Sequence, residues 1–298
     1  MQAFEYLRPE RLADAVALLA ERPGTARALA GGTDLLVQMR AERFHLDRVV
    51  DIKTVPELNE LRFDPDHGLT LGAAVPCYRI YGDPAIVGAY PALAESVSII
   101  GGTAIQGRAT VGGNLCNASP SGDSIPSLIV YGATCQVSSG GGTRSLPVEG
   151  FCVAPGVTVL APGELLVSVQ LPLPQPRSGA HYLRFIPRNE MDIAVAGAAA
   201  WVALDEHGVI RGARVALAAV APVPLAAPAA GDAVIGTTGD ETALEAAAAA
   251  SRAAVSPITD MRGTAAQRRH LAGVLTKRAL RGALQRARGE GDGGNQHN

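Results

Sequence analysis

Between Leu171 and Arg177 every second residue is proline: Pro172, Pro174 and Pro176. Each proline fixes φ and removes a backbone donor, so neither a helix nor a strand ladder runs through such a segment. It suits a stiff linker. A chain built this way must close one folded unit before the prolines and begin another after them. Its 298 residues suffice for two ordinary domains, each burying its own core. The expected boundaries are 1–175 and 179–288. Residues 289–298 contain no apolar side chain and are expected to form a disordered tail.

Hydrophobic periodicity places elements on both sides of the linker. Leu12, Ala15, Val16 and Leu19 recur at helical spacing until Pro23-Gly24. The apolar run Ala26 to Ala30 reads as a buried strand entering the Gly31-Gly32 turn, and Asp34 to Arg43 as a helix. Arg48 to Ile52 and Leu69 to Ala74 read as strands. A helix is predicted over Ala89 to Ile100, a glycine-punctuated loop from Gly101 to Gly113, and a helix over Ser124 to Gly132. Ala133 to Ser138 and Arg144 to Leu146 form a hairpin about Gly140-Gly141-Gly142, and Glu164 to Leu171 is a further strand. Beyond the prolines come strands at His181 to Ile186, Ala194 to Leu204 and Val209 to Ala218, then helices at Asp240 to Val255 and Thr264 to Arg288. Three strands followed by two helices make a small α+β unit.

Composition narrows the function. Hydrophobic residues make up 47%, charged residues 18%, and the net charge is −2. No Lys/Arg block precedes the C-terminal region, so neither a nucleic-acid nor a membrane surface is indicated. Arg268, Arg269, Lys277, Arg278, Arg281, Arg286 and Arg288 make the last helix basic, which is read as a solvated face. No stretch approaches the roughly 20 apolar residues of a membrane span, and the N-terminus lacks the basic-then-apolar pattern of a secretion signal. A cytoplasmic location is expected. The cysteines, Cys77, Cys116, Cys135 and Cys152, lie 39, 19 and 17 residues apart. That spacing offers no Cys-x-x-Cys pair and no ligand set for zinc or an iron–sulfur cluster. Packed, reduced thiols are the expectation, and no metal site is assigned.

The informative features are two glycine turns about 80 residues apart, Ala30-Gly31-Gly32-Thr33-Asp34-Leu35-Leu36 and Thr110-Val111-Gly112-Gly113-Asn114. Without Cβ atoms, such turns let backbone N–H groups approach an anion closely. Thr33, Thr110 and Asn114 add side-chain donors, and a helix beginning near Asp34 would aim its positive end at the same place. Two such loops face to face would clamp a pyrophosphate. Neither matches a Walker loop or a Gly-x-Gly-x-x-Gly fingerprint. With 34 glycines in the chain, ordinary turns stay open as the alternative.

At these residues the chain resembles the FAD-binding medium subunit of the xanthine dehydrogenase and carbon monoxide dehydrogenase family of molybdenum hydroxylases. The family's two flavin motifs are matched by Ala30 to Asp34 and by Thr110 to Asn114, the second followed by Ala118-Ser119-Pro120-Ser121-Gly122-Asp123. The likeness continues through Glu164-Leu165-Leu166, Arg184-Phe185 with Met191-Asp192-Ile193-Ala194, Val220 to Pro224, and Ile258 to Gly263 leading to Arg268-Arg269. It covers nearly the whole chain in order and register.

The resemblance implies an α+β fold, with a two-lobed FAD-binding domain of the vanillyl-alcohol-oxidase (PCMH) type and a small C-terminal domain of three strands and three helices. It implies that Leu29, Ala30, Gly31, Gly32, Thr33, Asp34, Leu35 and Leu36, with Thr110, Val111, Gly112, Gly113 and Asn114, hold the FAD pyrophosphate. Asp123 would accept from a sugar or ribityl hydroxyl, and Gly101, Leu165 and Leu166 would pack near the cofactor. Arg184 stands where relatives commonly carry Lys, a fixed positive charge near flavin or phosphate. No residue here is assigned a catalytic role. The family's molybdenum cofactor sits on a large subunit and its two 2Fe–2S clusters on a small one, so a heterotrimer or a dimer of heterotrimers is expected. Some relatives insert a cysteine loop for a 4Fe–4S cluster; here Asp123 runs straight into Ser124. Gly-Thr-Asp in the first motif, where carbon monoxide dehydrogenases read Gly-His-Ser, leans towards hydroxylation of N-heterocycles or aldehydes. Two alternatives stand beside this reading. A self-sufficient flavin oxidase or reductase on this fold commonly anchors flavin through His or Cys, and His45, His67 and His181 fall in no motif. A scaffold that has lost its flavin is the other.

Overall fold

The computed structural model describes residues 3–43, 45–188 and 191–290. The expected α+β architecture is present, as three main sheets and a short two-stranded ribbon. Strands Glu5–Leu7, Arg48–Asp51 and Ala26–Leu29 form a parallel sheet with Arg48–Asp51 in the middle. The Leu12–Ala20 helix makes the right kind of crossover for parallel strands, with Ala15, Val16 and Leu19 buried. A five-stranded antiparallel sheet follows, in the order Leu61–Asp64, Gly68–Gly72, Leu165–Leu171, Thr134–Ser139 and Gly142–Pro147. The hairpin about Gly140-Gly141-Gly142 is thus present, with Ser139 paired to Gly142.

The third sheet, Ser178–Phe185, Ala196–Leu204, Ile210–Ala218 and Leu225–Ala226, is antiparallel and sandwiched. Side chains alternate along a strand, so its two faces bury different residues. Ala180, Tyr182, Ala199 and Ala216 join the large core shared with the first-domain helices Pro91–Ser98 and Ser124–Val130. Ala196, Ala198, Ala200 and Val202 face the other way, against helices Glu241–Ala254 and Ala265–Ala287. The alanine-rich strand is what lets helices close on both faces. At Gly179 a Cβ would lie 2.2 Å from the Ala283 carbonyl oxygen, so sheet and helix backbones nearly touch. Trp201 is partly buried against the larger core.

Several elements differ from the sequence expectation. The predicted 89–100 helix is two, Pro84–Ala89 and Pro91–Ser98, broken at Tyr90 because Pro91 disfavours helical φ/ψ in the residue before it. The expected 101–113 loop contains a turn of helix at Thr103–Gln106, and its second Gly-Gly lies inside a helix, Val111–Asn117, started by a Thr110 cap. The first motif's helix is shorter than expected, Leu35–Arg40. Three C-terminal helices exist, as the resemblance implies; the one missed by periodicity is the five-residue Pro228–Asp232. The proline segment between Leu171 and Ser178 carries no helix or strand. Of the predicted tail, 291–298 lie outside the described residues.

Candidate functional site: a cleft between two glycine turns

The Ala26–Leu29 strand pairs with Arg48–Asp51 as far as Leu29 and Asp51, and the chain then turns sharply. Gly32 has φ +80°, a left-handed conformation that a side chain would strain. Gly31 serves a different purpose. A Cβ there would sit 2.1 Å from the carbonyl oxygen of Arg108, so the first turn lies directly against the backbone that leads into the second. The second turn is equally close to the five-stranded sheet: a Cβ on Gly112 would meet Ala73 at 2.5 Å. The two turns predicted to face each other therefore do meet.

Thr110 caps the Val111–Asn117 helix, its Oγ1 accepting from the Gly113 amide at 2.9 Å. Ser124 Oγ donates to Asn114 Oδ1 at 2.7 Å, which orients the Asn114 amide and leaves its NH2 as the outward donor. Among the described residues the backbone amides of Gly31, Gly32, Thr33 and Asp34, and of Gly112, have no acceptor, whereas the Val111 amide faces the Val75 carbonyl across the Pro76–Thr110 bridge. Amides without partners normally find a ligand or water.

Between the turns is a cleft of about 390 Å³, within the usual range of small-molecule sites. Of the predicted residues, Ala30, Gly31, Gly32, Thr33, Asp34 and Leu35 line it, as do Thr110, Gly112, Gly113, Asn114, Leu165 and Leu166. Leu29 and Val111 instead anchor their turns in the core, and Leu36 is 38% exposed on the outer side. Gly101, at φ +62°, follows the cleft-lining Ile100.

Asp123 and Arg184 lie apart from the cleft lining, and the structure joins them to each other. Arg184 Nη1 donates to Asp123 Oδ2 at 2.6 Å, and Tyr182 Oη donates to Asp123 Oδ1 at 2.7 Å. All three side chains are buried. Burial pushes the Asp123 carboxyl upward, against the opposing pull of Arg184 and Tyr182. Gly197 makes room for this group, since a Cβ there would lie 2.8 Å from the Tyr182 oxygen. The trio ties the end of the second motif to the C-terminal sheet.

Sequence reasoning missed part of the cleft. Gln38, Cys116, Asn117 and the segment from Thr158 to Glu164 also line it. That segment is pinned by Glu164, which accepts from Arg144 Nε at 2.7 Å and from the Ala161 amide at 2.8 Å. Gln38 had a legible signal, lying four residues after Asp34 on the same helical face; the others did not. Among the cleft's charged groups, burial raises the Asp34 carboxyl and lowers the Arg27 guanidinium, while the Arg144 contact lowers Glu164. The Cys116 thiol is pushed up to about 12 by burial, so it stays protonated near neutrality and is no nucleophile. Among the described residues no three His, Cys, Asp or Glu side chains are placed to hold a metal. His45, His67 and His181 lie outside the cleft lining.

Comparison with known proteins places this α+β fold and its paired glycine turns in a class of flavin-binding dehydrogenase subunits. Residues 2–174 match the FAD binding domain in molybdopterin dehydrogenase, and 181–283 match the CO dehydrogenase flavoprotein C-terminal domain. The chain belongs to this family. It is 33% identical over 287 residues to the putative xanthine dehydrogenase FAD-binding subunit of Escherichia coli, covering 96% of this chain and 97% of that one. It is 31% identical to the carbon monoxide dehydrogenase medium chain of Afipia carboxidovorans, covering 96% and 98%. The structure superposes on a chain of Cu,Mo-CO dehydrogenase with TM-score 0.91, 31% identity and coverage of 96% and 99%. For quinoline 2-oxidoreductase from Pseudomonas putida the TM-score is 0.89, at 30% identity and coverage of 96% and 98%. Among the described residues no helix is long and apolar enough to cross a membrane.

Proposed function

We propose that this chain holds FAD between its two glycine turns and serves as the electron-transfer subunit of a molybdenum-containing hydroxylase or dehydrogenase. In this reading a large partner subunit carries the molybdenum cofactor and oxidises the substrate, and a small partner carries two 2Fe–2S clusters. The assembly is a heterotrimer or a dimer of heterotrimers. A bound flavin supplies the one chemistry needed here, accepting electrons singly from a cluster and releasing them in pairs to an external acceptor.

The residues of this chain bind and orient. The amides of Gly31 to Asp34 and of Gly112 donate to the diphosphate, with Thr33 and Asn114 adding side-chain donors. Leu165 and Leu166 give the cleft an apolar wall, and Gly101 lets the backbone pass close by. Asp123 has lone pairs left for a cofactor hydroxyl beyond those used by Tyr182 and Arg184. Arg184 holds that carboxylate charged and in place. The observation that carries the reading is the row of unpartnered amides where the two turns meet. The names of the relatives support the division of labour, since they are a medium chain and an FAD-binding subunit.

The test is to purify the chain with the polypeptides that accompany it. Flavin, iron and molybdenum should co-purify. A chain that runs alone, colourless and without metal-bearing partners, contradicts the proposal, and robust turnover of an organic substrate by the chain alone favours a self-sufficient flavoenzyme instead.

A further inference from the structure

Among the described residues one side-chain hydrogen bond joins the helices that stand behind the two glycine turns. Gln38 Nε2 donates to Asn117 Oδ1 at 2.9 Å, 79 residues away in sequence. Both residues line the cleft. Gln38 stands on the Leu35–Arg40 helix behind the first glycine turn, and Asn117 ends the Val111–Asn117 helix behind the second. Among the described residues it is the only side-chain hydrogen bond that crosses from one turn's helix to the other's.

The Leu35–Arg40 helix needs such a tie. Its one buried side chain is Met39, which packs in a small cluster with Leu29, Leu46 and Val49, separate from the main core. Val37 and Leu36 are 63% and 38% exposed. Packing therefore fixes this helix to its own small sheet and hardly to the lobe across the cleft. The Val111–Asn117 helix, by contrast, buries Val111, Gly112 and Leu115 and is capped by Thr110. One wall of the cradle is rigid and the other is held to it by Gly31 at one end and Gln38 at the other.

We propose that Gln38 and Asn117 are positioning residues, a strap that holds the two glycine turns at the separation at which both sets of amides reach one diphosphate. This rests on the FAD reading above. Without the strap the first helix samples wider positions, and the cost of ordering it falls on cofactor binding. Neither side chain needs to touch the cofactor for this effect.

A double-mutant cycle on the full chain, stripped of flavin and titrated with FAD by flavin fluorescence, tests the strap. Gln38→Ala and Asn117→Ala should each raise the FAD Kd about five-fold, the weight of one neutral hydrogen bond. The double variant should be no worse than either single one, because both remove the same contact. Exchanging the two, Gln38→Asn with Asn117→Gln, preserves the combined reach and should restore wild-type affinity. The flavin-free melting temperature should fall by only a few degrees in the alanine variants, the shift expected for one hydrogen bond in a chain of this size, and return in the exchange variant. Additive losses, unchanged affinity in the single variants, or an exchange variant that folds but binds no better than the alanine variants would overturn the strap. If an alanine variant fails to fold, the contact is structural and the proposal also falls. Wild-type chain that takes up no FAD would sink the underlying reading as well, whereas wild-type binding with an additive cycle sinks the strap alone.

Discussion

Gly31 rests directly on the backbone of Arg108: a Cβ at position 31 would stand 2.1 Å from the Arg108 carbonyl oxygen and 2.8 Å from its carbon. The two motifs thus touch through main chain, with no flexible side chain between them to give way.

Gly31→Ala should therefore be costly, because backbone must move. We expect about 3 kcal/mol, the upper end for overpacking, seen as a lower melting temperature together with reduced flavin retention. Gly113→Ala makes the useful contrast. The only near neighbour of its Cβ is Thr110 Oγ1 at 2.9 Å, so a gain of about 1 kcal/mol in helix propensity offsets a weakened cap of similar size. A Gly31→Ala chain as stable as wild type would contradict the contact.

The Asp123 trio should show a graded response. Arg184→Met strands a buried carboxylate, which costs about 3–5 kcal/mol. Tyr182→Phe removes one hydrogen bond to that charge and should cost about 1.5–3 kcal/mol. Denaturant midpoints measure both, and equal or reversed losses would show that the ion pair is not what holds the C-terminal sheet to the second motif.

Glu95 is a further tie between the helices of the first domain and the last sheet and helix. It accepts from His181 Nδ1 at 2.9 Å, from the Tyr182 amide at 2.9 Å and from Arg286. Burial pushes its carboxyl up, but the hydrogen bonds from His181 and Arg286 outweigh this, and the net shift is downward. A carboxyl lowered by folding stabilises the fold fully above its unfolded value, about 4.3, and that stabilisation is lost as pH falls through the lower folded value. Melting temperatures of wild type and Glu95→Gln should therefore differ most near neutral pH and converge on acidification below about pH 4. A gap that stays constant down to that range would show that the charge on Glu95 is immaterial.

The four thiols should be inert in the native chain. Burial pushes Cys77, Cys116 and Cys135 up to about 12 and Cys152 to about 11. Labelling with a thiol reagent near neutral pH should be slow until denaturant is added, when all four react. Rapid native labelling of Cys116 would mean that its place on the cleft wall leaves it open to solvent.

The sequence was most legible where backbone chemistry dictates local structure. Glycine at positions 31, 32 and 112 and the prolines at 172, 174 and 176 each leave few conformations open, and the longer strands and helices followed from periodicity, whereas short strands such as Glu5–Leu7 and Leu61–Asp64 did not. Elements without those signals were missed: the Pro228–Asp232 helix is too short to show a period, and the Val111–Asn117 helix hides behind glycines that ordinarily argue against one. The site was legible as two turns and invisible as a cleft. Nothing local in Gln38 or Asn117 tells that they meet, and nothing in Asp123 reveals that Tyr182 and Arg184 already occupy it. Those contacts arise only when the C-terminal sheet packs on the first domain.

The central claim is that backbone amides of both turns share one dinucleotide. Its most direct test is the FAD content of the purified assembly, measured by absorbance after release, for wild type and for a Gly32→Val, Gly113→Val double variant. Stoichiometric FAD in the wild type and little or none in a variant that still folds and assembles is the result expected. A flavin-free wild-type assembly, or a variant that retains its full complement of FAD, would contradict the account.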